Sequence, residues 1–299
     1  MNEPHVSQAP APPGPAGSAG PRGRLAAAAG AFLHAGRFLL PLDPRTDTPD
    51  DGNDRLAGCW FVCWGLLIGI VYAVFFSVAW RLFGEYHRMR LVPTVSLLAV
   101  DLAWFGYRLV AGSAALFSRR RDADDARGAA VVGGVLAVLL IVLLKQALLL
   151  SLPYGARPQP ADWRQHLGIL YPAPIYRPLI LMPVWGRWAM MLAAAMGRAA
   201  PGASARTVRL TAGMGLRAVG AGWAAAALLT LLYVPAPQVY LGHAVLVAVG
   251  TLVAAYFTAF LLGRRERGQT EETILATGLA GELSFLLLYL PVASAIYLY

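Results

Sequence analysis

The chain has 299 residues, of which 58% are hydrophobic and 14% are charged, and its formal net charge is +9. Soluble globular proteins carry about 25% charged residues, so this composition excludes an ordinary soluble domain and predicts an integral membrane protein. The positive charge is almost wholly arginine. Because the arginines lie between apolar runs, membrane topology explains them better than nucleic-acid binding, and no nucleic-acid partner is expected.

The first 56 residues are predicted to precede the membrane-spanning region. Residues 1–24 are rich in proline, alanine and glycine and cannot bury enough apolar surface to fold, so they are predicted to form a disordered tail. Residues 25–56 are predicted to form an interfacial helix followed by an acidic linker. The helical part is apolar, but it carries Arg37 and stops at Pro41, and it lacks the layout of a cleavable signal.

The rest of the chain, residues 57–299, is predicted to be a transmembrane helical domain. Apolar runs of about 20 residues recur along it, which is the length that a helix needs to cross a hydrocarbon core of about 30 Å. Lipid offers backbone groups no other partners, so the fold class is an all-α polytopic bundle of about seven transmembrane helices. The predicted spans are residues 57–80, 91–115, 129–152, 178–197, 212–234, 243–262 and 274–299.

The arginines of the connecting loops predict an orientation. The loops after the second, fourth and sixth spans hold ten arginines, whereas the opposite set holds six. By the positive-inside tendency, the first set of loops and the N-terminus are predicted to be cytoplasmic, with the C-terminus outside. The lipid bilayer, here the cell inner membrane, is therefore an expected partner.

Ionisable side chains inside the predicted spans mark candidates for function. Each costs about 2.5–3.5 kcal/mol on insertion scales, so each is expected to be functional or paired. Lys145 is the weakest candidate, because it lies close enough to the end of its span to extend its ammonium group to the interface. Asp101 and Arg108 are seven residues apart, about two turns on one face of a helix. Arg187 and Glu282 complete the set, and the alternative for Asp101, Arg187 and Glu282 is a structural ion pair between helices.

A polar stretch, RRERGQTEETILATGLAGEL at residues 264–283, leads into the last span. Thr270 stands at the position of a helix N-cap, and Glu271 and Glu272 follow it in the first turn. Acids in a first turn are favourable by about 0.3–1 kcal/mol each through the helix dipole. Glu282 lies ten residues after Glu272, inside the apolar run, and capping does not explain it.

The same stretch resembles the C-terminal signature of the cobalamin synthases (adenosylcobinamide-GDP ribazoletransferases), which runs Gly-Gly-Gln-Thr-Gly-Asp-Thr-Leu-Gly-Ala before a helix that contains a glutamate. Arg267 and Glu271 replace glycines of that pattern, and Glu272 replaces its aspartate. The residues in common are Gly268, Gln269, Thr270, Thr273, Ala276, Gly281, Glu282 and Leu283.

Other fragments resemble the family in the same order along the chain. They include WFVCWGLLIG in the first span, Asp125-Ala126-Arg127 in place of an Asp-Ser-Arg motif, and Gly186-Arg187 in place of a Ser-Arg pair. The largest departure is at the family's motif His-Leu-Asp-Gly-Leu-Ala-Asp-Thr-x-Asp-Gly. Counting back from Asp125 places the first aspartate of this motif on Asp101, but the next two on Phe105 and Arg108.

The resemblance implies a membrane-bound transferase that joins α-ribazole, or its 5′-phosphate, to adenosylcobinamide-GDP with release of GMP. The implied substrates are a nucleotide-activated corrinoid and ribazole, and the implied cofactor is Mg²⁺, held by carboxylates. We expect the functional residues to gather in one pocket near the inner leaflet. Alternatives are a catalytically inactive relative that acts as a membrane assembly partner and a small-solute transporter. The implied catalytic residues are Asp101, Asp125, Glu272 and Glu282, the metal ligands Asp101, Asp125 and Glu272, and the phosphate- or cofactor-binding residues Arg127, Arg187, Gly268 and Thr270.

Overall fold

The computed structural model describes residues 21–40, 57–84, 91–118, 126–152, 172–233 and 241–297. Within these ranges every regular element is a helix, and the only β contact is an isolated parallel bridge between Ala199 and Gln269. The predicted all-α fold class is therefore confirmed. Residues 1–20 of the predicted tail and residues 41–56 of the predicted linker lie outside the described residues. The predicted interfacial segment does contain a helix, and its position at the membrane surface stays a prediction.

The described residues form ten α-helices. Each of the seven predicted spans corresponds to one of them, or to the bent pair, to within a few residues. Six of the helices are long and apolar enough to cross a membrane, the first of them as part of a continuous helical stretch from Gly58 to Phe83. In chain order the helices are α1 (Pro21–Leu39), α2 (Phe61–Ala79), α3 (Leu91–Val100), α4 (Tyr107–Ser118), α5 (Ala126–Leu150), α6 (Tyr176–Ala195), α7 (Ala205–Gly213), α8 (Leu216–Tyr233), α9 (Leu241–Arg265) and α10 (Glu271–Tyr297).

The second predicted span is a bent pair of helices. A π-helical turn at Asp101–Phe105 follows α3, and the axes of the segments before and after Gly106 meet at 75°. A Cβ on Gly106 would lie 2.7 Å from both carboxylate oxygens of Asp101, so only glycine lets the chain turn this closely over that side chain. The prediction that Asp101 and Arg108 share one face of a continuous helix is wrong, because the bend separates them. Counted as one crossing, the pair brings the total of candidate spans to seven.

Helix α6 lies at the centre of the bundle, and every residue from Arg177 to Ala194 is buried. Helix α2 packs closely on it through two glycines one turn apart, Gly65 and Gly69, the small-residue spacing that lets membrane helices approach each other. A Cβ on Gly65 would lie 2.7 Å from the carbonyl oxygen of Pro183, and a Cβ on Gly69 would lie 2.6 Å from Ile180 Cα. Pro183 does not interrupt α6, which continues through it.

Several connections meet at one end of the bundle. The Phe38 ring of α1 stacks on Phe61 at the start of α2, with ring centroids 5.4 Å apart. Near the end of α9, Arg265 Nη2 donates to the carbonyl oxygen of Leu116 in α4, at 2.9 Å. Ala200, after α6, donates its backbone N–H to the carbonyl oxygen of Gln269, at 2.9 Å. The N-terminal helix and the connections after the even-numbered crossings thus share one end, as alternating topology requires, and the cytoplasmic assignment of this end stays a prediction.

Candidate functional site

Four charged side chains from different parts of the fold meet inside the bundle: Asp101 from the bend, Lys145 from α5, Arg187 from α6 and Glu282 from α10. Each is at most 2% exposed. Two carboxylates and two cations make the group neutral in net charge. Burying a charge is expensive unless it is paired, so their assembly in one place is what allows all four to stay in an apolar bundle.

Hydrogen bonds and ion pairs join these four side chains to the Tyr72 hydroxyl and the Phe105 carbonyl group. We call this set of groups the buried network. Lys145 Nζ donates to Asp101 Oδ2 and to Glu282 Oε2, at 2.7 Å in each case. Arg187 Nη1 donates to Glu282 Oε1, and Arg187 Nη2 donates to the carbonyl oxygen of Phe105 at 3.0 Å. The Tyr72 hydroxyl donates to Asp101 Oδ1. Every carboxylate oxygen of the two acids therefore has a partner from the protein.

The interpretation of Lys145 as a side chain that reaches the interface is wrong. It is 1% exposed and joins both buried carboxylates. A long side chain points back toward the N-terminus of its helix, so an ammonium group attached near the end of α5 can lie deep in the bundle. The alternative of ion pairs between helices is confirmed for Asp101, Arg187 and Glu282. Glu282 pairs with Arg187 and Lys145, and Asp101 pairs with Lys145.

Glycine makes room for Glu282 where α10 crosses α6. A Cβ on Gly186, the residue before Arg187, would lie 3.0 Å from Glu282 Oε1 and 3.0 Å from the carbonyl oxygen of Gly278. On the other side of the crossing, a Cβ on Gly281 would lie 2.6 Å from Ala189 Cβ. The crossing brings the backbones close enough for Arg187 to reach Glu282 directly.

The polar stretch before α10 folds as a tight corner, residues 263–273, against the connection that follows α6. Gln269 donates its backbone N–H to the carbonyl oxygen of Arg198 at 2.8 Å, which forms one side of the parallel bridge. Gly268 has φ of 150°, and a Cβ there would lie 2.6 Å from Ala200 Cα. Arg267, which replaces a glycine of the family pattern, has φ of 58° and so keeps a glycine-like conformation with a side chain.

Two threonines in the corner cap α10. The Thr273 backbone N–H donates to Thr270 Oγ1 at 3.2 Å, and the Thr270 backbone N–H donates to Thr273 Oγ1 at 2.9 Å. This reciprocal arrangement satisfies two backbone donors at the helix start, as a capping box does. The predicted N-cap at Thr270, with acids in the first turn, is confirmed. Of those acids, Glu271 forms an ion pair with Arg108.

We expect Gly268→Ala to destabilise the protein by roughly 1–3 kcal/mol, because the added methyl group must displace the backbone at Ala200. Gly202→Ala is the matched control. Gly202 also has a positive φ, 80°, but a Cβ there would meet nothing within 4 Å. Thermal unfolding of the purified protein should show the larger loss for Gly268→Ala. Equal losses would mean that backbone conformation alone, and not close packing, requires glycine at position 268.

The described site residues lie at two different depths in the bundle and not in one pocket. Glu272 and Glu282 are ten residues apart on α10, which places them about 15 Å apart along its axis. Asp101, Arg187 and Glu282 meet in the buried network, whereas Gly268, Thr270 and Glu272 lie at the corner. Two predicted site groups, Asp125 and the side chain of Arg127, lie outside the described residues.

The magnesium site stays a prediction, because one of its three predicted ligands, Asp125, lies outside the described residues. No group of three or more His, Cys, Asp or Glu side chains that could hold a metal ion occurs in that part of the chain. Asp101 was a predicted ligand, but both of its oxygens bind Tyr72 and Lys145. Glu272, another predicted ligand, lies at the corner, and Asp125 is not described. All four oxygens of the buried carboxylates already accept from the protein, and Lys145 and Arg187 balance their charge.

Sequence reasoning missed two members of the buried network and undervalued a third. Nothing in the sequence around Tyr72 marks it as a partner of Asp101, because a tyrosine in an apolar span is common. The carbonyl group of Phe105 is available only because the helix is broken there. Lys145 did carry a signal: it is the only lysine of the chain, and it lies in an otherwise apolar run.

These features define a polytopic helical membrane protein whose central helix is tied to its neighbours by a neutral network of buried ion pairs. The family model described as cobalamin-5-phosphate synthase matches residues 124–290, more than half of the chain, and the chain belongs to this family. Membership implies activity of the cobalamin synthase type, on corrinoid and ribazole substrates. The match includes Lys145, Arg187, Glu282 and the corner, and it begins after the bent pair. No curated protein and no solved structure matches the chain.

Proposed function

We propose that the protein joins α-ribazole, or its 5′-phosphate, to adenosylcobinamide-GDP and releases GMP at the end of the bundle that carries the corner. The observation that supports this most directly is the family match over residues 124–290, which contains the corner and α10. The corner lies at the end of the bundle where the positive-inside tendency predicts the cytoplasm, the compartment of nucleotide-activated substrates.

The reaction is a displacement at phosphorus. A hydroxyl group of the ribazole attacks the phosphorus that carries the corrinoid, a new P–O bond forms, and the P–O bond to GMP breaks. The proton of the hydroxyl group passes to a base, and GMP leaves as a phosphate anion. We propose Glu272, which is partly exposed in the first turn of α10, as this base, and Arg127 as a ligand of the phosphate oxygens.

A different role is proposed for the buried network. Arg187 and Glu282 are 0% exposed and bind each other, so a charged substrate would have to break that pair to reach them. Because Glu282 and Glu272 are on the same helix, the network sets the position of α10 and thereby of the corner. Asp101, Arg187 and Glu282 are accordingly proposed as positioning residues.

The test is GMP release by the purified protein in lipid nanodiscs, with the GDP-activated corrinoid, α-ribazole and Mg²⁺. We expect GMP release to require both substrates, and Glu272→Gln to slow it by about 10²–10⁴-fold, the usual contribution of a general base. Glu266→Gln is the control, because Glu266 lies in the same corner, with its carboxylate 3.6 Å from Arg265 Nε. Omission of Mg²⁺ tests the predicted cofactor. A folded protein that releases no GMP with both substrates would refute the proposal.

A second candidate function is that of a catalytically inactive relative that serves as an assembly partner in the membrane. The occupied carboxylate oxygens of Asp101 and Glu282 favour it, since a self-contained network can hold helices together without chemistry. It predicts no GMP release, and a normal cellular phenotype when Glu272→Ala replaces the wild type. If cells with a normal amount of Glu272→Ala protein in the membrane lack the wild-type phenotype, the assembly role without catalysis is excluded.

A further inference from the structure

In the buried network an ammonium group bridges two carboxylates, a role that metal ions also have in proteins. Lys145 Nζ lies 2.7 Å from one oxygen of Asp101 and 2.7 Å from one oxygen of Glu282. Divalent ions hold carboxylate oxygens at about 2.0–2.6 Å, so an ammonium nitrogen that bridges two carboxylates lies close to where such an ion would be bound.

The other contacts occupy the remaining oxygen of each carboxylate. The second oxygen of Asp101 accepts from Tyr72, and the second oxygen of Glu282 accepts from Arg187. With two negative and two positive groups, the network has no net charge to attract a further cation. A divalent ion that displaced Lys145 or Arg187 would leave a buried cation without its partner.

The positions that align with the family's second and third aspartates are Phe105, in the bend, and Arg108, in α4. Phe105 contributes its carbonyl oxygen to Arg187 at 3.0 Å. Arg108 donates to Glu271 and to the carbonyl oxygen of Phe38. Neither position offers a carboxylate, and both contact charged groups of the protein itself.

We propose that the ammonium group of Lys145, and no metal ion, holds the carboxylates of the buried network together. Its ammonium group joins the bend, α5 and α10 by bridging Asp101 and Glu282, and the network is stable without a divalent cation. The inference concerns only the buried network and does not depend on the transferase reaction proposed above.

The test compares the melting temperature of the full-length protein in nanodiscs with EDTA and with millimolar Mg²⁺ or Ca²⁺. We expect the wild type to change by less than about 1 °C on addition of either ion. Lys145→Met should melt at a lower temperature in EDTA, because two buried carboxylates then face each other. In that variant either ion should restore roughly 3–10 °C, the shift that a ligand gives at about 10–100 times its Kd.

The matched control is Lys145→Met combined with Asp101→Asn, which leaves one carboxylate. It should show no metal effect and should melt above Lys145→Met in EDTA. A folded Lys145→Met protein without a metal effect would contradict the proposal. If Lys145→Met does not fold, the melting temperature of the wild type is the test. A rise of several degrees with Mg²⁺ that disappears in Asp101→Asn would overturn the proposal. No rise in the wild type, or a rise that persists in Asp101→Asn, would support it.

Discussion

Glu282→Gln is expected to lower the free energy of unfolding by about 3–5 kcal/mol, the usual cost of removing one partner of a buried ion pair. Lys145 and Arg187 both donate to this carboxylate, and both are buried. The amide of glutamine is neutral and can accept only through its one oxygen. The two cations would keep their contacts to Asp101 and to the Phe105 carbonyl group, but they would lose the negative charge that they share.

Denaturation of the purified protein in detergent measures this effect, with Glu266→Gln as the control. The Glu266 side chain is 20% exposed, and its ion pair with Arg265 is long, at 3.6 Å, so its loss should change stability by less than about 0.5 kcal/mol. Adding Arg187→Met to Glu282→Gln should recover part of the loss, because it removes one of the unpaired cations. A loss below about 1 kcal/mol for Glu282→Gln alone would show that the carboxylate is not the centre of a buried network.

Gly69→Ala is expected to destabilise the protein by about 1–3 kcal/mol or to prevent the close crossing of α2 and α6 altogether. The new methyl group would lie 2.6 Å from Ile180 Cα and 2.8 Å from Ile180 C, which are backbone atoms. Backbone cannot rotate away as the end of a side chain can, so the helices must separate. Separation would also move Tyr72, one turn further along α2, away from Asp101.

The control is Gly220→Ala in α8, where a Cβ would meet nothing within 4 Å. Alanine is a better helix former than glycine by about 0.5–1 kcal/mol, so this variant should be as stable as the wild type or more stable. Melting temperatures of the two variants in the same detergent compare packing with helix propensity directly. Equal behaviour would mean that α2 and α6 do not pack as closely as the structure shows.

Helix α10 connects the two parts of the candidate site. Its first turn is capped by Thr270 and Thr273 at the corner, and about 15 Å along its axis Glu282 is held by Arg187 and Lys145. A substitution in the network can therefore affect chemistry at the corner through the position of the helix. For this reason Glu272→Gln is a cleaner test of catalysis than any substitution of Glu282.

The sequence by itself determined the features that depend on local composition and short spacing. Apolar runs of about 20 residues predicted the membrane helices, because only a helix satisfies the backbone in lipid. The cap at Thr270 was predictable because its partner Thr273 is three residues away. The resemblance of the polar stretch identified the family, because glycine, glutamine and threonine stand at fixed offsets within it.

Only the tertiary structure decided which buried charges meet. Tyr72, Asp101, Lys145, Arg187 and Glu282 come from five separate segments, and no spacing along the chain encodes their distances. The bend at Asp101 also escaped prediction, because apolar residues on both sides of it satisfy the pattern of a straight span. Partners for ionisable groups inside a membrane are chosen by how helices cross, and here glycines at the crossings brought the backbones close enough for oppositely charged side chains to bind directly.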